Sequence, residues 1–254
     1  MAFKLYNAPQ STCSQRVRFV LNAKKLAFDE VKLNLLEGDQ LKPDYLKLNP
    51  NGVVPTLDHD GDIVTDSTVI TEYLDEISPD DSFTPESALE RARMRALMHY
   101  IDEMPAPAVR VPTFNLAFLP SYQKMSPAEF NAHAESKPIR REFLLMMGQS
   151  GFPKTEMDAA LGRLRRTYER MDAEIAKSGG PWLLGKKITL ADVAVMPAMV
   201  RMNDLNMPQW QDLPRIVTWF DNIRAQPAFK PTYYHGSLLS ERFPHLRELT
   251  HAAV

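Results

Sequence analysis

The apolar pattern of this chain changes character once, near residue 80, and that change fixes the class of fold. Up to Ile77, short alternating runs are interleaved with short helical runs; after Pro85 only helical spacing remains. Phe3–Asn7 alternates and ends in a Pro/Ser loop, as a short strand does. Val17, Val20 and Leu21 recur at helical spacing, and the helix is expected to continue to Lys25. Phe28–Leu35 reads as a second strand. Pro43–Leu48 reads as a short helix, since proline suits a first helical turn. Pro55–Asp58 and Asp62–Val64 flank Asp60-Gly61, a two-residue hairpin signal. Ser67–Ile77 is a helix burying Val69, Ile70, Tyr73 and Leu74. The turn formers from Ser78 to Pro85 mark a linker. The expected fold is α+β: residues 1–80 in the order βαβαββα, then residues 86–254 all helical.

Two capping boxes punctuate the helical part. Ser126-Pro127-Ala128-Glu129 starts one helix, with proline at its first position. Thr189-Leu190-Ala191-Asp192 starts another: the hydroxyl is expected to take an orphan amide, and the carboxylate to reach back to the cap amide. Between them Glu156–Lys177 is amphipathic, with Leu161, Leu164, Tyr168, Met171 and Ile175 on one face. Leu213–Ala225 is a last helix, stopped by Pro227. A net charge of −2 gives no field for nucleic acid or an anionic membrane. No apolar run approaches the ~20 residues that span a bilayer, and no signal peptide is visible. One cysteine excludes an internal disulfide and a multi-cysteine metal site, and fits a reducing, cytoplasmic setting. His235, His245 and His251 are too scattered for a metal site and are expected at the surface.

Three segments carry a more specific signal. Ser11-Thr12-Cys13-Ser14-Gln15-Arg16-Val17-Arg18 follows the first strand, Gly52-Val53-Val54-Pro55-Thr56-Leu57 opens the third, and Asp66-Ser67-Thr68-Val69-Ile70 begins the third helix. In this order and spacing they resemble the glutathione transferase superfamily over nearly the whole chain. The resemblance implies a thioredoxin-like domain, a helical domain and glutathione as cosubstrate. Asp66 would then take the γ-glutamyl ammonium, and Ser67 at a helix start would take its carboxylate. A cis Val54–Pro55 bond would turn the backbone edge of Val54 toward the peptide, which pairs like an added strand.

The thiolate partner stays open among three residues. The Ser11–Arg18 segment is similar to the zeta-class signature, which points to Ser11, with Thr12 beside it. Cys13 occupies the cysteine position of beta- and omega-class enzymes. Ser14 falls where bacterial β-aryl etherases carry a serine. Tyr6 lies inside the strand and reads as core, and Arg16 as a fold or domain contact. Many relatives carry Lys or Gln where this chain has Val53, so Gln40 or Lys42 is expected to reach the glycine end of glutathione.

The stretch Met104–Phe118, then Gln123-Lys124-Met125-Ser126, then Gly151-Phe152-Pro153, is similar to an insert of the etherase branch. It is expected to form a hydrophobic substrate site lined by Phe114, Asn115, Phe118 and Tyr122, with Met94, Met98, Met146 and Met147 as deformable walls. The resemblance implies an enzyme that attacks hydrophobic, aromatic electrophiles with a glutathione thiolate, aryl ethers among them, and a homodimer. Two alternatives come from the same segments: a Cys13-dependent thiol oxidoreductase, and a non-enzymatic binding module like the ganglioside-induced differentiation relatives.

Overall fold

The computed structural model describes residues 2–247. Strands β1 (Phe3–Asn7), β2 (Phe28–Lys32), β3 (Thr56–His59) and β4 (Asp62–Thr65) form one sheet in the order β2-β1-β3-β4. β1 pairs parallel with β2, Phe3 opposite Phe28, and antiparallel with β3; β3 and β4 form the hairpin around Asp60-Gly61. With α1 (Thr12–Ala23), α2 (Pro43–Leu48) and α3 (Ser67–Ile77) this is the thioredoxin-like arrangement. Two boundaries differ from expectation. β2 ends at Lys32 instead of Leu35, because Asn34 turns the chain: its side chain accepts from the Leu36 amide (3.2 Å) and its own amide donates to Asp39 (2.7 Å). α1 starts at Thr12 and stops at Ala23, two residues before Lys25 adopts a positive φ of 54°.

The helical domain begins with α4 (Ala88–Glu103). Short helical turns at Pro105–Ala108, Arg110–Thr113 and Leu119–Tyr122 follow, with a π-helical turn at Phe114–Phe118. Prolines at 105, 107, 112 and 120 each remove an amide donor, so this segment cannot run as one regular helix. Then come α5 (Pro127–Glu135), α6 (Arg141–Met147), α7 (Lys154–Ser178), α8 (Leu190–Asp204) and α9 (Pro214–Arg224). In α5 both arms of the capping box form, between Ser126 and Glu129.

α8 is buried on every side from Leu190 to Met202, so it is the axis of the core and packs on both α1 and α4. Its head is the fully buried carboxylate of Asp192. That group accepts from the Thr189 amide (2.8 Å), the Leu183 amide (3.0 Å) and the Trp219 indole (2.8 Å). The expected capping box between Thr189 and Asp192 forms with both arms, and the Thr189 hydroxyl also donates to Asp192 (2.9 Å).

One ion pair joins the domains, and a second, within the thioredoxin-like domain, holds the linker. Arg16, 5% exposed, pairs with Asp102 on α4 (2.6 Å), and Thr68 on α3 donates to the same carboxylate (2.7 Å). The second pair, Lys24 with Asp75 (2.7 Å), is buried and fixes the linker. Lys24 also donates to the carbonyls of Ser78 and Asp80, while Asp75 accepts from Ser82 and the Phe83 amide. Burial pushes the Asp75 carboxyl up, but Lys24 and these donors outweigh it and hold it below 3.8. Its contribution is therefore complete above the unfolded value and is lost as pH falls through the lower folded value. Lys24→Met should cost about 3–5 kcal/mol in urea unfolding at neutral pH, because Asp75 stays buried without its cation. The Lys24→Met/Asp75→Leu double variant should recover part of that loss and lose less stability than wild type below about pH 4.

Candidate active site

The loop after β1 closes with a hydrogen bond from the Ser11 amide to the Ala8 carbonyl (3.0 Å), and Ser11 becomes the N-cap of α1. The Ser11 hydroxyl oxygen accepts from the Ser14 amide (3.3 Å), which leaves its proton free to donate outward. Ser11, Thr12 and Cys13 all line a cavity of about 580 Å³ between the two domains. Ser14 does not. It is completely buried behind the loop, where its oxygen accepts from the Ala8 amide (3.4 Å). Ser14 is thus removed from the set of residues facing a ligand, because its place in the first turn of α1 points it into the core. Tyr6 packs with Tyr45 and Val54, as expected of a core residue.

The loop is held from behind. Arg18, 1% exposed, donates to Asn7 (2.6 Å), to the Pro9 carbonyl (2.8 Å) and to the Thr232 carbonyl (3.1 Å). Gln15 bridges the carbonyls of Pro9 and Ser237. Arg201 of α8 donates to the Gln10 carbonyl, and the Gln10 amide group donates to Gly236. The C-terminal segment therefore braces the loop, and Tyr234, His235 and Gly236 join the cavity wall.

The Val54–Pro55 bond is cis. Val54 lines the cavity and lies beyond the β1–β3 ladder, which ends at Tyr6 opposite Thr56. The neighbouring Val53 carbonyl is occupied by Tyr45 (2.6 Å) and Asn49 (3.0 Å), so the open edge belongs to Val54. Asp66 is the N-cap of α3, with φ of 72°. One carboxylate oxygen accepts from the Thr68 and Val69 amides and the other is spare. Asp66 and the buried Ser67 sit outside the walls of the main cavity. Gln40 lines the cavity, and its side-chain oxygen is buried without a partner. Lys42 does not line it: its ammonium pairs with Asp39 (2.7 Å) and is two-thirds exposed.

On the helical side Phe114, Phe118 and Tyr122 line the cavity. Phe114 meets Phe118 and Phe143 edge-on, each at 4.9 Å between centroids, so the wall is a locked aromatic cluster. Asn115 is not part of that wall. Its amide group donates to the Phe152 carbonyl (2.8 Å) and its oxygen accepts from the Phe152 amide (2.8 Å), so it ties the insert to Gly151-Phe152-Pro153. A side chain at Gly151 would collide with Leu119 and Asn115, at a φ of 82° that also favours glycine. The four methionines are not walls either. Met94 and Met98 are in the main core, Met147 is in a smaller core under the insert, and Met146 is exposed.

Sequence spacing missed the basic residues of this cavity. Arg110, Lys137 and Arg140 all line it. They come from two separate segments, with no motif linking them to each other or to Cys13. His245 was expected at the surface, yet it donates from Nε2 to the Leu116 carbonyl (2.8 Å) in the π-helical turn; His251 lies outside the described residues. Among the described residues no cluster of His, Cys, Asp and Glu is arranged to hold a metal, and no helix is long and apolar enough to cross a membrane.

A thioredoxin-like domain with a cis-proline edge, joined to a helical domain across a shared cavity, defines a class of glutathione-dependent enzymes. Residues 5–82 match the glutathione S-transferase N-terminal domain and residues 138–227 the C-terminal domain, and the chain belongs to the glutathione S-transferase family. Protein LigF of Sphingobium sp. strain SYK-6 is 29% identical over 92% of this chain and 93% of its own length. The crystal structure of the beta-etherase LigF superposes with a TM-score of 0.80 at 28% identity, over 92% of this chain and 99% of that one. Maleylacetoacetate isomerase of Aspergillus fumigatus is 32% identical over 77% of this chain and 74% of its own length.

The Asn115 clamp gives a clear separation of roles. Asn115→Ala should lower stability by about 1–3 kcal/mol in urea unfolding, since it strands a buried amide and carbonyl, while leaving the bound-thiol pKa of the protein unshifted.

Proposed function

We propose that this chain activates glutathione as a thiolate that attacks an aromatic electrophile, with cleavage of a β-aryl ether as the leading reaction. Glutathione pairs its backbone with the Val54 edge. Its γ-glutamyl end lies at the start of α3, where Ser67 takes the carboxylate and the spare oxygen of Asp66 takes the ammonium. Its sulfur lies at the start of α1. The observation that carries this reading is the Ser11 hydroxyl, which faces the cavity with its proton uncommitted. A donor there, together with the positive end of α1, stabilises a thiolate as it would lower the pKa of a cysteine.

In the reaction the thiolate sulfur forms a bond to the carbon carrying the aryloxy group. The carbon–oxygen bond breaks, and the oxygen leaves with its electron pair as a phenolate, which takes a proton from solvent. The aromatic wall of Phe114, Phe118 and Tyr122 fits the rings of such a substrate. The similarity to LigF over nearly the full length of both chains supports this choice over the isomerisation named for the second relative. The setting is the cytoplasm, where glutathione is abundant.

Ser11→Ala should raise the pKa of bound glutathione toward that of the free thiol and reduce kcat by on the order of 10²–10³, the usual effect of losing one donor to a developing anion. Ultraviolet thiolate absorbance across pH reads the first and aryl-ether turnover the second. A shift abolished by Cys13→Ser but untouched by Ser11→Ala would assign the role to Cys13 instead.

The active form is a homodimer. Val69 on α3, expected to be buried, is 53% exposed, and Leu89 on α4 is 62% exposed, on adjacent helices that Arg95 and Glu72 hold together (2.9 Å). Light scattering at micromolar concentration should give twice the chain mass, and Leu89→Asp should give the monomer.

A further inference from the structure

The charge on the cavity wall is one-sided. Lys32, Arg110, Lys137, Arg140, Arg201 and Arg242 line it, and no aspartate or glutamate does. The chain as a whole carries −2, so this is a local concentration of cations and not a reflection of composition. Lys32 is balanced by Glu30 (3.4 Å), and Arg201 is spent on Gln10 and Thr113. Arg110, Lys137 and Arg140 are different. None of their side chains makes a hydrogen bond or an ion pair with any described residue. Lys137 is only 8% exposed. Buried cations without partners are costly unless a ligand completes them.

The two arginines stand close enough to interact with each other and with the Cys13 thiol. Burial, Arg140 and Arg16 lower Arg110 to about 10 against the raising effect of Cys13 and of Asp102 outside the cavity wall, which keeps it charged at neutral pH, and burial lowers Arg140 and Lys137 as well. A fourth group points to the same end of the cavity. His133 lines it beside Tyr122, with Nε2 buried and unpartnered.

We propose that Arg110 and Arg140, with Lys137 beside them, form a binding subsite for a carboxylate carried by the electrophile, so that the preferred substrate is an aromatic acid and not a neutral aromatic compound. This rests on the transferase reading above and narrows its substrate class. The aromatic wall takes the ring, and the cations take the acid group on the side of Cys13. A planar guanidinium pair suits a carboxylate in two-point contact. The anchors assigned to glutathione, at Val54 and at the start of α3, belong to the thioredoxin-like domain; Arg110, Lys137 and Arg140 all belong to the helical domain.

The test compares two β-aryl ether ketones that differ only in a ring carboxylate. It uses wild type and the Arg110→Met/Arg140→Met variant, with glutathione affinity measured in parallel by calorimetry. Wild type should prefer the acid by at least about tenfold in kcat/KM, and the variant should lose that preference mainly through KM for the acid. The neutral ether and the glutathione affinity should change less than about threefold. Equal turnover of both ethers by wild type would overturn the proposal. So would a variant that loses glutathione affinity as much as acid affinity, because the cations would then serve the tripeptide. A third arm separates this proposal from the reading beneath it. Calorimetric binding of phenoxyacetate and of neutral phenoxyethanol to the glutathione-loaded protein needs no turnover. If neither ether reacts but phenoxyacetate binds at least about tenfold tighter in wild type alone, the ether reading fails and the subsite stands; equal binding overturns the subsite.

Discussion

The buried carboxylate of Asp192 is the point from which the rest of the molecule is located. It gathers the Thr189 and Leu183 amides and the Trp219 indole around the head of α8. A carboxylate taken fully out of water is tolerable only with such a set of donors. With its head fixed, α8 runs through the core and delivers Arg201 to the loop that carries Ser11. The same helix supports α1 on one side and α4 on another. The distance from the Ser11 loop to the helical wall is therefore set by one capped helix, not by contacts across the cavity itself.

Local chemistry explains what was legible in the sequence. The Asp60-Gly61 hairpin, the Ser126–Glu129 capping box and the period of α7 are decided within a few residues, and each reads correctly. The cis bond at Val54–Pro55 and the glutathione loop are legible only through resemblance, since spacing alone does not distinguish them from an edge proline and an ordinary helix start. Ser14 shows the limit of motif reading. It sits in the right loop, but inside the first turn of α1 its side chain is buried against the Ala8 amide, while Ser11, the extended N-cap, stays at the cavity. Asn115 and the methionines fail for a related reason. An apolar, flexible or amide side chain in an insert serves packing as readily as binding, and only its partners decide which.

The basic wall was not legible at all. Arg110 and Arg140 are thirty residues apart, separated by the segmented helical insert and α5, and each alone looks like an ordinary surface arginine. Their meaning comes from convergence, and from a cavity wall that contains no aspartate or glutamate. The result is a cavity with two characters, aromatic on Phe114 and Phe118 and cationic on Arg110 and Arg140. Such a surface recognises a molecule that is apolar at one end and anionic at the other, which composition and hydropathy would not suggest.

The brace on the loop that carries Ser11 has a consequence for synthesis. Gln10 is held by Gly236, Gln15 by Ser237 and Arg18 by Thr232, so partners are separated by more than two hundred positions. During translation the sheet and α1 emerge early, but the loop beside Ser11 cannot take its final shape until Thr232, Gly236 and Ser237 have emerged. The nascent thioredoxin-like domain therefore leaves the ribosome with the loop that carries Ser11 unbraced. Shortened products that end before Thr232 can carry every residue proposed to hold glutathione and still lack the support that aims them.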